Sequence, residues 1–171
     1  DDDGIKLAKK VAQALKVKNI HIYKNFGTAA INYQGVTMEF NGARKESYKK
    51  ESRNPKIVKG TMEDDQKRRD FTINAMSVAL NKNNYGVFID PFNGMDDLAK
   101  KIIRTPLDPE KTYDDDPLRM MRAIRFATTL GFEVEKQSLE AIKKLNHRLK
   151  IIKQERITEE LNEIILSKKP S

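Results

Sequence analysis

Asp115, Asp116 and Arg119, followed by Arg122 and Arg125, occupy the stretch YDDDPLRMMRAIRFA over 113–127. At roughly 100° per residue, a helix gathers the three arginines into an arc of about 120° and turns Met120, Met121, Ile124 and Ala127 to the other side. An adjacent carboxylate and guanidinium offer an acceptor beside a donor. That pair complements the exocyclic amine and ring nitrogen of cytosine and adenine, whereas uracil and guanine leave it unsatisfied. A good two-point contact of this kind gives about 1 to 3 kcal/mol of discrimination. The same residues also read as a helix start, with Asp116 as N-cap and Pro117 as first helical residue.

Two further groups have chemical potential. In RRDFTINAM, over 68–76, Arg68, Arg69 and Asp70 lie together at a break between two helical patterns. A bidentate arginine suits phosphate oxygens and a neighbouring carboxylate suits a ribose hydroxyl, although a surface ion pair explains the same residues. In GVTMEFN, Glu39 falls on the strand face opposite Val36, Met38 and Phe40. Such a residue is either the wet outer face of a half-exposed sheet or, with further carboxylates on neighbouring strands, a ligand for a hard cation such as Mg²⁺.

The elements that must position these groups follow from periodicity. Ile5, Ala8, Val11, Ala12 and Leu15 predict a surface helix over 4–16. Ile20 and Ile22 alternate in a strand, and Gln34-Gly35 divides a hairpin over 29–43. The stretch 43–60 has almost no apolar period and reads as a mobile basic loop. A helix is expected from Thr61, with helical pattern running to Asn83-Asn84, then a strand over 85–94 and a short helix over 96–103. Pro106 and Pro109 mark a linker over 104–113, after which the pattern is helical nearly throughout. The fold class expected is α+β, a head with a small mixed or antiparallel sheet and helices over 1–105, then an all-helical part over 106–171.

Composition bounds the partners. Lys and Arg number 33 against 25 Asp and Glu, a formal charge of +8 that suits polyanions. Cysteine is absent, which excludes a disulfide framework and a thiolate zinc site. No run approaches the roughly 18 apolar residues of a membrane span, and the acidic start DDDGIK is unlike a secretory signal. The sequence reads as cytoplasmic.

Taken in order, EFNGARKESY, EDDQKRRDFTINAM, DPFNGMDDL and DDDPLRMMRAIRFATTLGFEVE resemble the class II tRNA nucleotidyltransferases, or CCA-adding enzymes, and the related bacterial poly(A) polymerases. The resemblance spans residues 4–170. It implies a nucleotidyltransferase head using two Mg²⁺ and a helical neck that selects the incoming nucleotide. Glu39 would be a supporting carboxylate of the metal site. Arg69 and Asp70 would hold triphosphate and ribose, with Arg68 and Asn74 beside them. Asp115, Asp116 and Arg119 match the family's Glu-Asp-x-x-Arg motif, with Asp115 where Glu is usual, and Arg122 and Arg125 would support the same pocket or its phosphates. The segment 90–97 would couple head to neck, and QERITEEL over 154–161 resembles the last neck motif.

The implied reaction is attack of a tRNA 3′-hydroxyl on the α-phosphate of CTP or ATP. Addition of AMP alone to RNA ends, as by a poly(A) polymerase, or of only CC or A, fits the same motifs, and a basic RNA-binding module with a degenerate pocket is the non-enzymatic alternative. The family's main Asp-x-Asp metal ligands are not identifiable, although Asp1 to Asp3 read as a candidate remnant. Without them nucleotide binding is expected with almost no turnover.

Overall fold

The computed structural model describes residues 3–24, 27–49 and 52–168, and for 47–49 and 52–56 the backbone alone. The backbone packs as two compact units, one of residues 1–45 and 57–65, the other of 46–56 and 66–171.

In the first unit, helix α1 (Gly4–Ala14) is opened by Asp3, whose carboxylate accepts from the N–H groups of Ile5 at 3.0 Å and Lys6 at 3.1 Å. Asp3 is thus a cap, and Asp1 and Asp2 lie outside the described residues. The helix lays Ala8 and Ala12 on an antiparallel sheet ordered β1 (Ile20–Tyr23), β2 (Thr28–Tyr33), β3 (Val36–Asn41). The central strand buries Ala29, Ala30 and Ile31. Small side chains on both partners allow the close approach, and Gly4 sets its limit: a Cβ there would stand 2.6 Å from the Phe40 carbonyl oxygen. The expected hairpin turn is present, with Gln34 and Gly35 both at positive φ, 51° and 82°.

The expected loop over 43–60 is instead a two-stranded sheet of β4 (Arg44–Lys49) and β5 (Ser52–Lys59). Paired N–H and C=O groups form such a ribbon whatever its side chains, so it need carry no apolar alternation to be read.

Helix α2 (Met62–Lys67) begins with a reciprocal cap: Thr61 Oγ1 accepts from the Asp64 N–H at 3.1 Å, and the Asp64 carboxylate accepts from the Thr61 N–H at 3.0 Å. The helical pattern expected to continue to 83–84 does not. Phe71 is extended, Thr72 donates its N–H to the Arg104 carbonyl at 2.9 Å, and only a 3₁₀ turn (Thr72–Asn74) follows. Burying Phe71 completely outweighs the local helical period. Strand β6 (Ser77–Val78) then pairs antiparallel with β7 (Phe88–Ile89).

Helix α3 (Gly94–Lys100) is held at its start by Asp90, which accepts from the Gly94 and Met95 N–H groups at 2.7 and 2.9 Å. Strand β8 (Ile102–Ile103) follows. The expected linker over 104–113 is mostly helix α4 (Pro109–Asp115), with Asp108 as N-cap and Pro109 as first residue, so the prolines mark a helix start rather than a spacer. Helices α5 (Leu118–Leu130), α6 (Lys136–Leu145) and α7 (Gln154–Ile165) complete the second unit. One short strand, β9 (Glu133–Val134), interrupts the helical run and pairs parallel with β8. One core joins Phe71, Ile103 and Ala123, with Phe71 meeting Phe126 edge to face at 5.7 Å; a second joins Tyr113, Met120 and Ala141. Among the described residues no helix is long and apolar enough to cross a membrane.

Candidate functional site

Helix α5 carries its arginines to the segment that carries Arg68 and Asp70. Asp116 serves both flanking helices: its N–H donates to the Thr112 carbonyl at 3.4 Å, and its carboxylate accepts from the Leu118 N–H at 3.2 Å. One turn on, Arg119 is buried and donates from Nη2 to the Arg68 carbonyl at 2.7 Å. Arg122 donates from Nε to Asp70 Oδ2 at 2.8 Å, with Nη2 at 2.7 Å from the same oxygen. Asp70 Oδ1 accepts from the Phe71 N–H at 2.9 Å and from the Asn74 amide at 3.0 Å. Arg125 donates to Glu160 Oε2 at 2.6 Å, and both Arg122 and Arg125 lie over the Phe126 ring, at 5.3 and 4.2 Å. The arginine stripe therefore faces other segments, Arg119 a backbone carbonyl and Arg122 and Arg125 carboxylates.

Asp115 is half-buried at the end of α4. Burial pushes its carboxyl above the ordinary carboxylate range, while Arg119 and Lys111 pull it back. Arg119 is the foremost of these cations, so Asp115 and Arg119 are electrostatic neighbours. Tyr113 is fully buried, and burial drives its hydroxyl up to about 12. The Ser138 hydroxyl lies close enough to temper that rise, yet neither hydroxyl completes a hydrogen bond. Arg68 pairs with Glu46 at 3.3 Å, and Arg69 is exposed.

A second polar set braces the same segment. Asp97, buried, accepts from Thr72 Oγ1 at 2.8 Å and from Arg104 Nε at 3.1 Å, and Arg104 reaches Glu135 at 2.7 Å. The 71–74 turn, α3 and the β9 end are tied by one chain of charge-assisted bonds. Sequence reasoning did not single out Glu46 or Glu160. The signal for Glu160 was available: it stands four residues before Ile164 on the buried stripe of α7, where a carboxylate is out of place unless paired.

With this geometry in view, the kinship is informative. A family model described as the poly A polymerase head domain matches residues 1–104, more than half of the 171-residue chain. The chain belongs to this family. A second model, described as a probable RNA and SrmB-binding site of polymerase A, matches residues 131–171. The chain is 42% identical over 148 residues to the CCA-adding enzyme of Lactobacillus helveticus, covering 85% of this chain and 36% of that protein. It is 38% identical over 143 residues to the A-adding tRNA nucleotidyltransferase of Aquifex aeolicus, covering 84% of this chain and 17% of that protein. The chain thus spans little more than a third, or less, of these relatives' lengths. A crystal structure of a tRNA nucleotidyltransferase with a primer tRNA and an incoming ATP analog superposes with a TM-score of 0.80 at 32% identity, covering 97% of this chain and 46% of that one.

In this member of the poly A polymerase head family, Glu39 stands exposed on β3, opposite Ala30 of β2. Among the described residues no three carboxylate or imidazole side chains come together. A pair of Mg²⁺ ions needs several hard oxygen ligands, and Glu39 with the capping Asp3 does not supply them. The described residues therefore do not fit the expected two-metal site. The residues expected to hold nucleotide fare differently: Arg119 bonds the Arg68 carbonyl, and Asn74, Asp70 and Arg122 form a second bonded set that Arg125 joins through Glu160.

Proposed function

We propose that the protein is a template-independent RNA nucleotidyltransferase that adds CMP and AMP, from CTP and ATP, to the 3′ end of tRNA. The observation that carries this reading is the docking of Arg119 on the Arg68 carbonyl and of Arg122 on Asp70, which joins candidate base readers to candidate phosphate and ribose holders. In the reaction the RNA 3′-oxygen bonds to the α-phosphorus, the α–β bridging bond breaks and pyrophosphate leaves. Arg68 and Arg69 would take triphosphate charge and Asp70 a ribose hydroxyl. Asp116 and Arg119 would read the base edge, with Asp115 holding Arg119 in place. Rejection of uracil and guanine then follows from buried groups left unpaired rather than from a template strand.

Residues 1–105 would act as the head and 106–171 as the neck, a division supported by the family match ending at residue 104. Nucleotidyltransferases of this family generally use divalent metals, and Glu39 would be at most a supporting ligand for them. A tRNA substrate implies a cytoplasmic protein. The kinship with an A-adding enzyme favours one second reading, in which the protein adds AMP alone. Equilibrium binding of CTP and ATP to the chain separates them. Binding of both is expected, binding of ATP alone supports the second reading, and binding of neither refutes both.

A further inference from the structure

Asp70 has no acceptor capacity to spare. A carboxylate offers roughly four in-plane acceptor sites. Two are taken on Oδ1 by the Phe71 N–H and the Asn74 amide, and two on Oδ2 by Nε and Nη2 of Arg122. A ribose hydroxyl can bind Asp70 only if one donor leaves. The Phe71 N–H is backbone of a buried residue and Asn74 sits in the same turn, so neither withdraws without unmaking the fold locally. Arg122 is different, because its side chain is 32% exposed.

A destination is already built. Glu160 is buried on α7, its Oε2 is held by Arg125 at 2.6 Å, and its Oε1 faces Arg122 Nη1 at 3.8 Å, within ion-pair range but too far for a hydrogen bond. The Phe126 ring lies under the Arg122 guanidinium, so the cation can turn toward Glu160 while keeping its aromatic contact. Arg122 thereby exchanges one carboxylate for another, and Asp70 exchanges an ion pair for the ribose hydroxyl.

We propose that Glu160 is a positioning residue for nucleotide binding: it receives Arg122 when nucleotide arrives, and so frees Asp70 Oδ2 to accept from the ribose. This rests on the reading of Asp70 as the ribose holder. The test is equilibrium binding of CTP and 2′-deoxy-CTP to the protein and to its Glu160→Gln and Glu160→Asp variants. The protein is expected to favour CTP by about tenfold, the worth of one hydrogen bond to a charged acceptor. In Glu160→Gln that preference collapses to about twofold, through weaker CTP binding with 2′-deoxy-CTP unchanged, and Glu160→Asp restores part of it. Equal weakening of both nucleotides, or an unaltered preference, overturns the inference while leaving the nucleotide site intact. Binding of neither nucleotide by the unsubstituted protein overturns the underlying reading and this inference with it. Should Glu160→Gln fold poorly, the Arg122 Nε–H resonance of the unsubstituted protein, identified by its loss in Arg122→Lys, decides: it is expected to move with CTP and not with 2′-deoxy-CTP, and a resonance unmoved by CTP sinks the proposal.

Discussion

Two buried side chains of the α4–α5 region make opposite experimental demands. Tyr113 keeps its proton to about 12 in the folded protein, against an ordinary value of 10.0. Between those values the unfolded chain binds fewer protons than the folded one, so stability is full below pH 10 and falls as pH rises toward 12, by about 2 to 3 kcal/mol. Urea denaturation from pH 8 upward should show this fall in the parent and not in Tyr113→Phe. Because the Tyr113 hydroxyl has no hydrogen-bond partner, Tyr113→Phe is expected to be no less stable at pH 8. Arg119 behaves otherwise. Truncation to Ala leaves the Arg68 carbonyl without its donor and should cost about 1 to 3 kcal/mol of stability. At conditions where the variant is folded, it should bind CTP, ATP, UTP and GTP with similar affinity, whereas a residue touching only phosphate would weaken all four and keep their ranking. The arginine spacing of 119, 122 and 125 was legible in the sequence. What the arginines face was not, because Asp70 and Glu160 are 52 residues before Arg122 and 35 after Arg125, and no local period links them.

The elements hold these residues through close backbone contacts as much as through apolar burial. Gly94 is the tightest such contact in the bracing segment, since a Cβ would lie 2.5 Å from the Thr72 carbonyl oxygen and 2.9 Å from Met76 Cγ. Gly94→Ala should therefore displace α3 from the 72–76 segment and lower stability by about 1 to 3 kcal/mol, seen as a lower melting temperature. Asp97→Asn attacks the same brace electrostatically. It removes the charge that answers Arg104 while keeping size, and hydrogen exchange should accelerate at the Thr72 amide, whose acceptor is the Arg104 carbonyl. Elements with strong amphipathic period, α1 and α5 to α7, were legible to within a few residues. The β4–β5 ribbon was not, because backbone pairing forms a strand even where the sequence has no apolar alternation. The 72–83 stretch misled for the reverse reason, since the helical pattern opening at Thr61 reads on through it while Phe71 and its neighbours serve a turn.

For the whole molecule, kinship and charge carry the functional conclusion together. A net charge of +8 predicts RNA binding through phosphates, so affinity for a tRNA should fall about tenfold or more between roughly 50 and 200 mM salt. Salt dependence alone does not distinguish a nucleotidyltransferase from any basic RNA binder. Base selection without a template does. The deciding measurement is competition among CTP, ATP, UTP and GTP for the protein in the absence of RNA. Preference for CTP and ATP over UTP and GTP by about tenfold, lost in Arg119→Ala, is the expected result. Four equal affinities in the unsubstituted protein would contradict the assignment of Asp116 and Arg119 as the base-reading pair.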